Sequence, residues 1–147
     1  MRGVPAPLPR QVLLDSAAYY AILDQQETTH PQAAVVLRQL AHERWRLFTT
    51  NFIVAEAHAL ILGRLGYHHA TAFLRQFEEG ATTVLRVRQT DEERAKQIIY
   101  QYRDKRFSMT DATSFAVMEQ HRIGVAFTFD HNFVQHGFRV LGGATGR

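Results

Sequence analysis

Residues 11–23 read QVLLDSAAYYAIL, and the reading of this stretch decides the fold. Val12, Leu13 and Leu14 form an unbroken apolar run, the pattern of a strand covered on both faces rather than of one with a wet side. Asp15 closes the run, and SAAYYAIL, residues 16–23, predicts a short helix directly behind it. A buried strand handed straight to a helix is the opening of an α/β unit.

The alternation continues outward from there. From Pro31 onward Ala33, Val36, Leu37, Leu40 and Ala41 keep helical spacing, with the proline suited to a first turn. RLFTT, residues 46–50, predicts a second strand. Asn51 is placed to cap a helix over about 52–63 that Gly63 and Gly66 would end. Ala70, Phe73, Leu74 and Phe77 mark a further amphipathic helix stopping at Gly80. TTVLRV, residues 82–87, predicts a third strand, and Thr90 with Glu93 a capping box for a helix carrying Ala95, Ile98, Ile99 and Tyr102 on one stripe. Ser108 and Asp111 repeat the capping pattern for a helix reaching His121. Residues 124–129 predict a fourth strand, HNFVQHG a short helix or turn, and FRVL a fifth strand. The expected fold is α/β, with a mainly parallel sheet of about five strands and helices on both faces. A single domain is expected over 11–141, with an extended arm over 1–10 and a flexible tail over 142–147.

Composition narrows the function. The chain has 147 residues, 46% of them hydrophobic and 21% charged, which suits one globular core. It has no cysteine, which removes thiolate zinc sites and cysteine nucleophiles and suits a reducing cytoplasm. The opening MRGVPAPLPR lacks the apolar run of a signal peptide, and no later run reaches membrane-spanning length. The expected location is therefore cytoplasmic, with no membrane partner. Net charge is +3, and all but two of the 17 basic residues, Lys96 and Lys105, are arginine. Arginine favours bidentate phosphate contacts, so the excess fits a polyanionic partner as well as a compositional bias. The chain contains no HExxH, no glycine-rich phosphate loop and no nucleophile elbow, and Asp15 is followed by Ser-Ala-Ala rather than by a DxDxT pattern. These absences argue against zinc proteases, P-loop nucleotide hydrolases, α/β-hydrolases and haloacid-dehalogenase-type phosphatases. A phosphoacceptor receiver domain needs a lysine late in the chain, whereas the last one here, Lys105, precedes the fourth strand.

Four acids stand out. Asp15 and Asp130 end the apolar runs VLLD and VAFTFD, Glu56 interrupts FIVAEAHALIL, and Asp111 opens SMTDATSFAVM. Acids are rarely buried unless paired or bound to metal. Glu56 carries the strongest local argument: its helical neighbours Phe52, Ile53, Ala59 and Leu60 offer it no partner, and the segment is apolar nearly all round, as a buried helix is. Asp15 equally fits a cap for the helix at Ser16, Asp111 the reciprocal partner of Ser108, and Asp130 a turn. Asp104, flanked by Arg103, Lys105 and Arg106, is a second-tier candidate. The strand-end positions of Asp15 and Asp130 matter most, because ligands of parallel sheets bind beyond the carboxyl ends of the strands.

Taken in order, LLDSAAYYAILD, TTNFIVAEAHALI, FSMTDATSFAVM, FTFDHNF and FRVL resemble the PIN-domain nucleases, in particular the VapC-like toxins of prokaryotic toxin–antitoxin pairs. The resemblance spans nearly the whole chain. It implies a metal site of Asp15, Glu56, Asp111 and Asp130, with Ser16, Asn51 and Thr128 as polar helpers. It also implies RNA as substrate, a cognate antitoxin, and a homodimer, for which the apolar helices over 52–63 and 67–79 are the candidate surface. Carboxylates gathered in one cleft repel one another, and Mg²⁺ or Mn²⁺ relieves that repulsion through oxygen ligands. On this reading Asp15 bridges metal, Glu56 and Asp111 complete the main site, and Asp130 holds a second ion or orients the attacking water. Arg103, Lys105 and Arg106 are candidates for holding RNA phosphates. The alternatives are a stand-alone RNA-processing nuclease of this fold and a catalytically silent module that binds RNA or protein.

Overall fold

The computed structural model describes residues 9–143. The expected arm and tail fall largely outside these residues. Five parallel strands form one sheet in the order β3-β2-β1-β4-β5. They are β1 (Gln11–Leu14), β2 (Arg46–Thr50), β3 (Thr82–Leu85), β4 (Val125–Phe127) and β5 (Arg139–Leu141). Seven helices connect them: α1 (Ser16–Leu23), α2 (His30–His42), α3 (Asn51–Leu65), α4 (Tyr67–Gln76), α5 (Gln89–Gln101), α6 (Met109–His121) and α7 (Asn132–Gln135). No helix among the described residues is long and apolar enough to cross a membrane.

β1 is central because of its composition. Successive strand residues point to opposite faces, and Val12, Leu13 and Leu14 are all buried, so both faces are covered there. Leu13 lies between Phe48 of β2 and Ala126 of β4. The ladder runs one residue past the strand, the Asp15 amide donating to the Phe127 carbonyl at 3.1 Å. That bond carries Asp15 to the carboxyl edge of the sheet, beside the end of β4. The helices pack in two groups, α1 with α2 and α3, α3 with α4, and α5 with α6 and α6 with α7, joined where α3 meets α6. Tyr19 of α1 meets the Phe73 ring of α4 edge-on at 5.1 Å, and Phe73 meets Phe77 likewise.

The helix enclosed nearly all round is α6, in which every residue from Asp111 to Met118 is buried. Its interior hydroxyls are satisfied locally: Thr113 donates to the Met109 carbonyl at 2.8 Å and Ser114 to that of Thr110 at 2.8 Å. This corrects the expectation for α3, which buries only Ile53, Ala57 and Ile61. Its remaining apolar residues, Leu62 among them, lie on half-buried or exposed sides. Hydrophobicity along a segment did not distinguish a helix enclosed on all sides from one with an uncovered apolar face.

Three local expectations shift. The cap of α3 is Thr50, whose hydroxyl accepts from the Ile53 amide at 3.1 Å, and Gly63 lies inside a helix that ends at Gly66, where φ is 91°. Asn51 instead accepts from the Val87 amide at 2.8 Å, which takes Val87 out of the ladder and ends β3 at Leu85. The cap of α5 is not the Thr90–Glu93 box: the buried Asp91 carboxylate accepts from the Arg88 amide at 2.9 Å. The Ser108–Asp111 box forms as expected, with 3.0 Å bonds in both directions.

Gly142, just past β5, closes the sheet against the end of β4. Its φ is 109°, and a Cβ there would stand 2.8 Å from the Thr128 carbonyl oxygen and 3.3 Å from the Phe127 ring. Gly142→Ala is expected to lower unfolding stability in urea by roughly 1–3 kcal/mol, through both strain and overlap. Gly63→Ala, in a helix with open space around it, should instead raise stability by roughly 0.5–1 kcal/mol. Equal effects of the two substitutions would contradict the close approach at Gly142.

Candidate active site

The strand order reverses direction at β1, with β2 and β3 on one side and β4 and β5 on the other. The crevice at the carboxyl ends of β1 and β4 is therefore the topological switch point, where open parallel sheets bind ligands. Asp15 occupies it with only 3% of its surface exposed. It stands at the N-cap of α1 but makes no side-chain capping bond. Its Oδ2 accepts from the Thr128 hydroxyl at 2.9 Å, and Thr128 is itself wholly buried.

From Thr128 the contacts run on to the other acids. The same hydroxyl accepts from the Asp130 amide at 3.0 Å, so one side chain touches Asp15 and fixes the backbone of Asp130. The Asp130 carboxylate ties down the start of α7, its Oδ1 accepting from the Asn132 amide at 2.9 Å. The side-chain nitrogen of Asn132 donates to Asp111 Oδ2 at 3.1 Å and reaches Asp130 Oδ2 at 3.5 Å. On the far side of Asp15, the Ser16 hydroxyl donates to Glu56 Oε1 at 2.6 Å. The structure thus brings Asp15, Glu56, Asp111 and Asp130 together, each held through a neutral donor.

Burial dominates the electrostatics. It pushes the Asp15 carboxyl from its ordinary 3.8 up to about 7 against the lowering effect of the Thr128 bond, and the charges of Asp111 and Glu56 add to the rise. Burial also raises Asp111, assisted by the charge of Asp130 and opposed by bonds from Ser108 and Asn132. Two carboxyls are therefore poorly stabilised as anions, which suits a cation at this place. The donor set is entirely oxygen, the preference of Mg²⁺ and Mn²⁺. Among the described residues no three His, Asp or Glu side chains are grouped tightly enough to hold a metal ion as they stand. Mg²⁺ commonly keeps several waters and binds through one or two carboxylates, so the residues fit such an ion without a tighter cage.

Glu56 belongs to this group for a reason other than the one its local sequence offered. It is exposed rather than enclosed in apolar surroundings, and its partner comes from α1 rather than from its own helix. The neighbours at helical spacing could not reveal a hydroxyl forty residues away. Asn51 makes its side-chain bond to Val87, with none to the four acids among the described residues. It borders a separate cavity of about 500 Å³ walled by Val54, Leu74, Phe77 and Val84. Asp104 is set apart too: it pairs with Lys105 at 3.1 Å, and that contact holds its carboxyl below the ordinary value.

The basic loop does approach the acids. Lys105 and Arg106 line a cleft of about 340 Å³ with Asp104, His131, Asn132 and Gln135. Arg103 is exposed and is not part of its lining. Asn132 is shared by the cleft and the acidic group, and no motif in the sequence assigns it a role. The one signal available was its position, two residues beyond Asp130.

The PIN domain profile matches residues 12–139 of the chain. The chain is 25% identical over 132 residues to ribonuclease VapC26 of Mycobacterium tuberculosis, covering 90% of this chain and 95% of that one. It is 32% identical over 92 residues to the 23S rRNA-specific endonuclease VapC20 of the same organism, covering 63% and 70%. The crystal structure of VapC20, described as a sarcin–ricin loop cleaving toxin, superposes with a TM-score of 0.79 at 26% identity over 86% of this chain and 95% of that one. A toxin–antitoxin complex from Klebsiella pneumoniae shares the fold, with a TM-score of 0.61 at 16% identity over 88% and 95%.

The raised carboxyl of Asp15 has a consequence for stability. Its folded-state pKa lies above its unfolded value, so the folded chain holds the proton longer. The resulting stabilisation is complete below the unfolded value and is lost as pH rises through the folded one. In protein stripped of divalent ions, stability should therefore fall from pH 3.8 to about 7 on account of this group. Asp15→Asn keeps an acceptor for Thr128 without the charge, and at pH 8 should unfold at higher urea than the wild type, by on the order of 2 kcal/mol. A wild type as stable as Asp15→Asn at both ends of this range would show that the carboxyl is not buried in solution.

Proposed function

The chain belongs to the PIN domain family, and from that premise we propose that it is an endoribonuclease of the VapC-like toxin kind, dependent on Mg²⁺ or Mn²⁺. The observation that carries the proposal is the joining of two buried acids, Asp15 and Asp111, to Glu56 and Asp130 at the switch point of the sheet. Ribonuclease activity and a ribosomal RNA target are printed for its relatives VapC26 and VapC20, which supports RNA as the substrate class.

In this reading Asp15, Glu56 and Asp111 hold the cation, and Asp130 holds a second ion or orients the attacking water. A divalent ion bound there would supply charge neutralisation for the phosphodiester and a lowered pKa for water. The chain's own groups do the rest. Ser16 and Thr128 each occupy one carboxylate oxygen and Asn132 reaches two, which limits how the acids can turn. A third of the Asp130 side chain is open to solvent, which leaves it accessible to either a second ion or the attacking water. Lys105 and Arg106 hold strand phosphates along the adjoining cleft, and the exposed Arg103 of the same loop adds charge. Water adds to phosphorus and the 3′ oxygen leaves with a proton, giving a 5′-phosphate and a 3′-hydroxyl.

We propose two protein partners. The first is a cognate antitoxin, supported by the fold shared with a protein solved in a toxin–antitoxin complex. The second is another copy of this chain, against the uncovered apolar side of α3 and α4, where Leu62, Tyr67 and Leu74 are exposed. Light scattering that finds only monomer at high concentration would eliminate the second.

RNA cleavage should require Mg²⁺ or Mn²⁺ and stop in EDTA. Asp15→Asn and Glu56→Gln are each expected to lower kcat at least about 100-fold. Full activity in EDTA, or in either variant, would refute the metal-nuclease reading. For the basic cleft, Lys105→Ala/Arg106→Ala should weaken RNA binding and reduce its salt slope by roughly one to two units. An unchanged slope would place the strand elsewhere.

A further inference from the structure

Among the described residues, Asn132 is the one whose side chain hydrogen-bonds to both Asp111 and Asp130, at 3.1 Å and 3.5 Å. We infer that Asn132 is a positioning residue of the metal site, fixing these two acids relative to one another through its side-chain nitrogen. The inference rests on the proposed metal-dependent cleavage and extends it to a residue outside the acidic set.

The chemistry of the group suits the task. A primary amide nitrogen carries two hydrogens and no charge, so it can serve two carboxylates without neutralising either. A lysine or arginine in its place would compete with the cation for the same oxygens. Asp111 Oδ2 is thereby doubly committed, to Asn132 and to the Ser108 amide. Asp111 Oδ1 accepts no bond from the described residues and is the oxygen left for a ligand.

The backbone at this position is anchored as well. The amide of Asn132 donates to Asp130 Oδ1 at 2.9 Å. Its neighbour Phe133 is fully buried, with its ring edge-on to Phe115 of α6 at 5.0 Å. α6 is the helix that carries Asp111. Main chain and side chain thus tie the loop after β4 to the first turn of α6, and the two acids move as a unit. Groups that orient metal-ligating carboxylates in this way typically contribute 10–100-fold in metal affinity or activity.

Asn132→Leu keeps the volume and removes the donor, Asn132→Ala removes both, and Asn132→Gln keeps the donor on a stem one carbon longer. Mn²⁺ binding would be titrated by electron paramagnetic resonance on RNA-free protein, followed by kcat and KM for a single-stranded RNA at saturating Mn²⁺. The Leu and Ala variants should each bind Mn²⁺ about 10–100-fold more weakly. Their kcat should fall by a larger factor than KM for RNA rises, since Asn132 only borders the RNA cleft, and their metal-free unfolding midpoints should match the wild type. Asn132→Gln should recover part of the Mn²⁺ affinity, which a purely space-filling role would not predict. If the Leu variant fails to fold, the Ala and Gln variants carry the comparison. Wild-type Mn²⁺ affinity and kcat in a folded variant without the donor would overturn the role of Asn132 alone. A wild-type protein that binds no Mn²⁺ would overturn the metal reading, and the inference with it.

Discussion

Asp15 sits where a carboxylate is least welcome, at the end of the central strand with almost no contact with water, and much of the site is organised around that burial. The central strand must be apolar on both faces to be covered on both faces, so the residue that ends it emerges into a crevice and not into solvent. Keeping an acid there requires a donor as deeply placed as the acid, and the Thr128 hydroxyl supplies it from the neighbouring strand. Thr128 in turn is held by its own place between β4 and β5, its amide donating to the Leu141 carbonyl at 3.2 Å and its carbonyl packed against Gly142. The need to satisfy one buried oxygen thus extends through three strands.

The donors that hold the acids are uncharged. Two hydroxyls each occupy one carboxylate oxygen and one amide reaches two, while Lys105 and Arg106 line the adjoining cleft. Had the acids been paired with arginines, their charge would be satisfied within the protein and a metal ion would gain little by binding. Neutral donors fix position and leave the negative charge for the ligand. Separation of the acidic crevice from the basic cleft, with Asn132 between them, gives a phosphodiester one side that receives a cation and another that is cationic already.

Much of the architecture was legible in the chain because it follows from short-range patterns. The VLL run, the alternation of strands and helices, and the Ser108–Asp111 box all lead to the observed elements. Boundaries drifted where a side chain elsewhere decided the matter: Asn51 bonds Val87 and shortens β3, and Asp91 rather than Glu93 caps α5. The acids were found partly for the wrong reason. Glu56 looked anomalous in an apolar helix, yet that helix leaves it exposed, and Ser16 of α1 is its partner. Asp15, Asp111 and Asp130 each had a local explanation, and capping does occupy Asp111, while a turn bond to the Asn132 amide occupies Asp130. Capping and membership of the acidic group proved compatible, because a carboxylate has two oxygens. Asn132 was not legible at all, since an asparagine after a turn residue is unremarkable until Asp111 arrives beside it from another helix.

The contact between Asp15 and Thr128 spans 113 residues of sequence. The first and last parts of the site are therefore made more than a hundred residues apart. A growing chain on the ribosome carries Asp15 and Glu56 early, but it lacks the strand that satisfies Asp15 until β4 and the loop after it have emerged. Every incomplete product ending before residue 128 has its central acid without the buried hydroxyl and without Asp130. Translation order thus withholds the assembled cleft until β4 and the loop after it have been made, and products truncated before that point lack it.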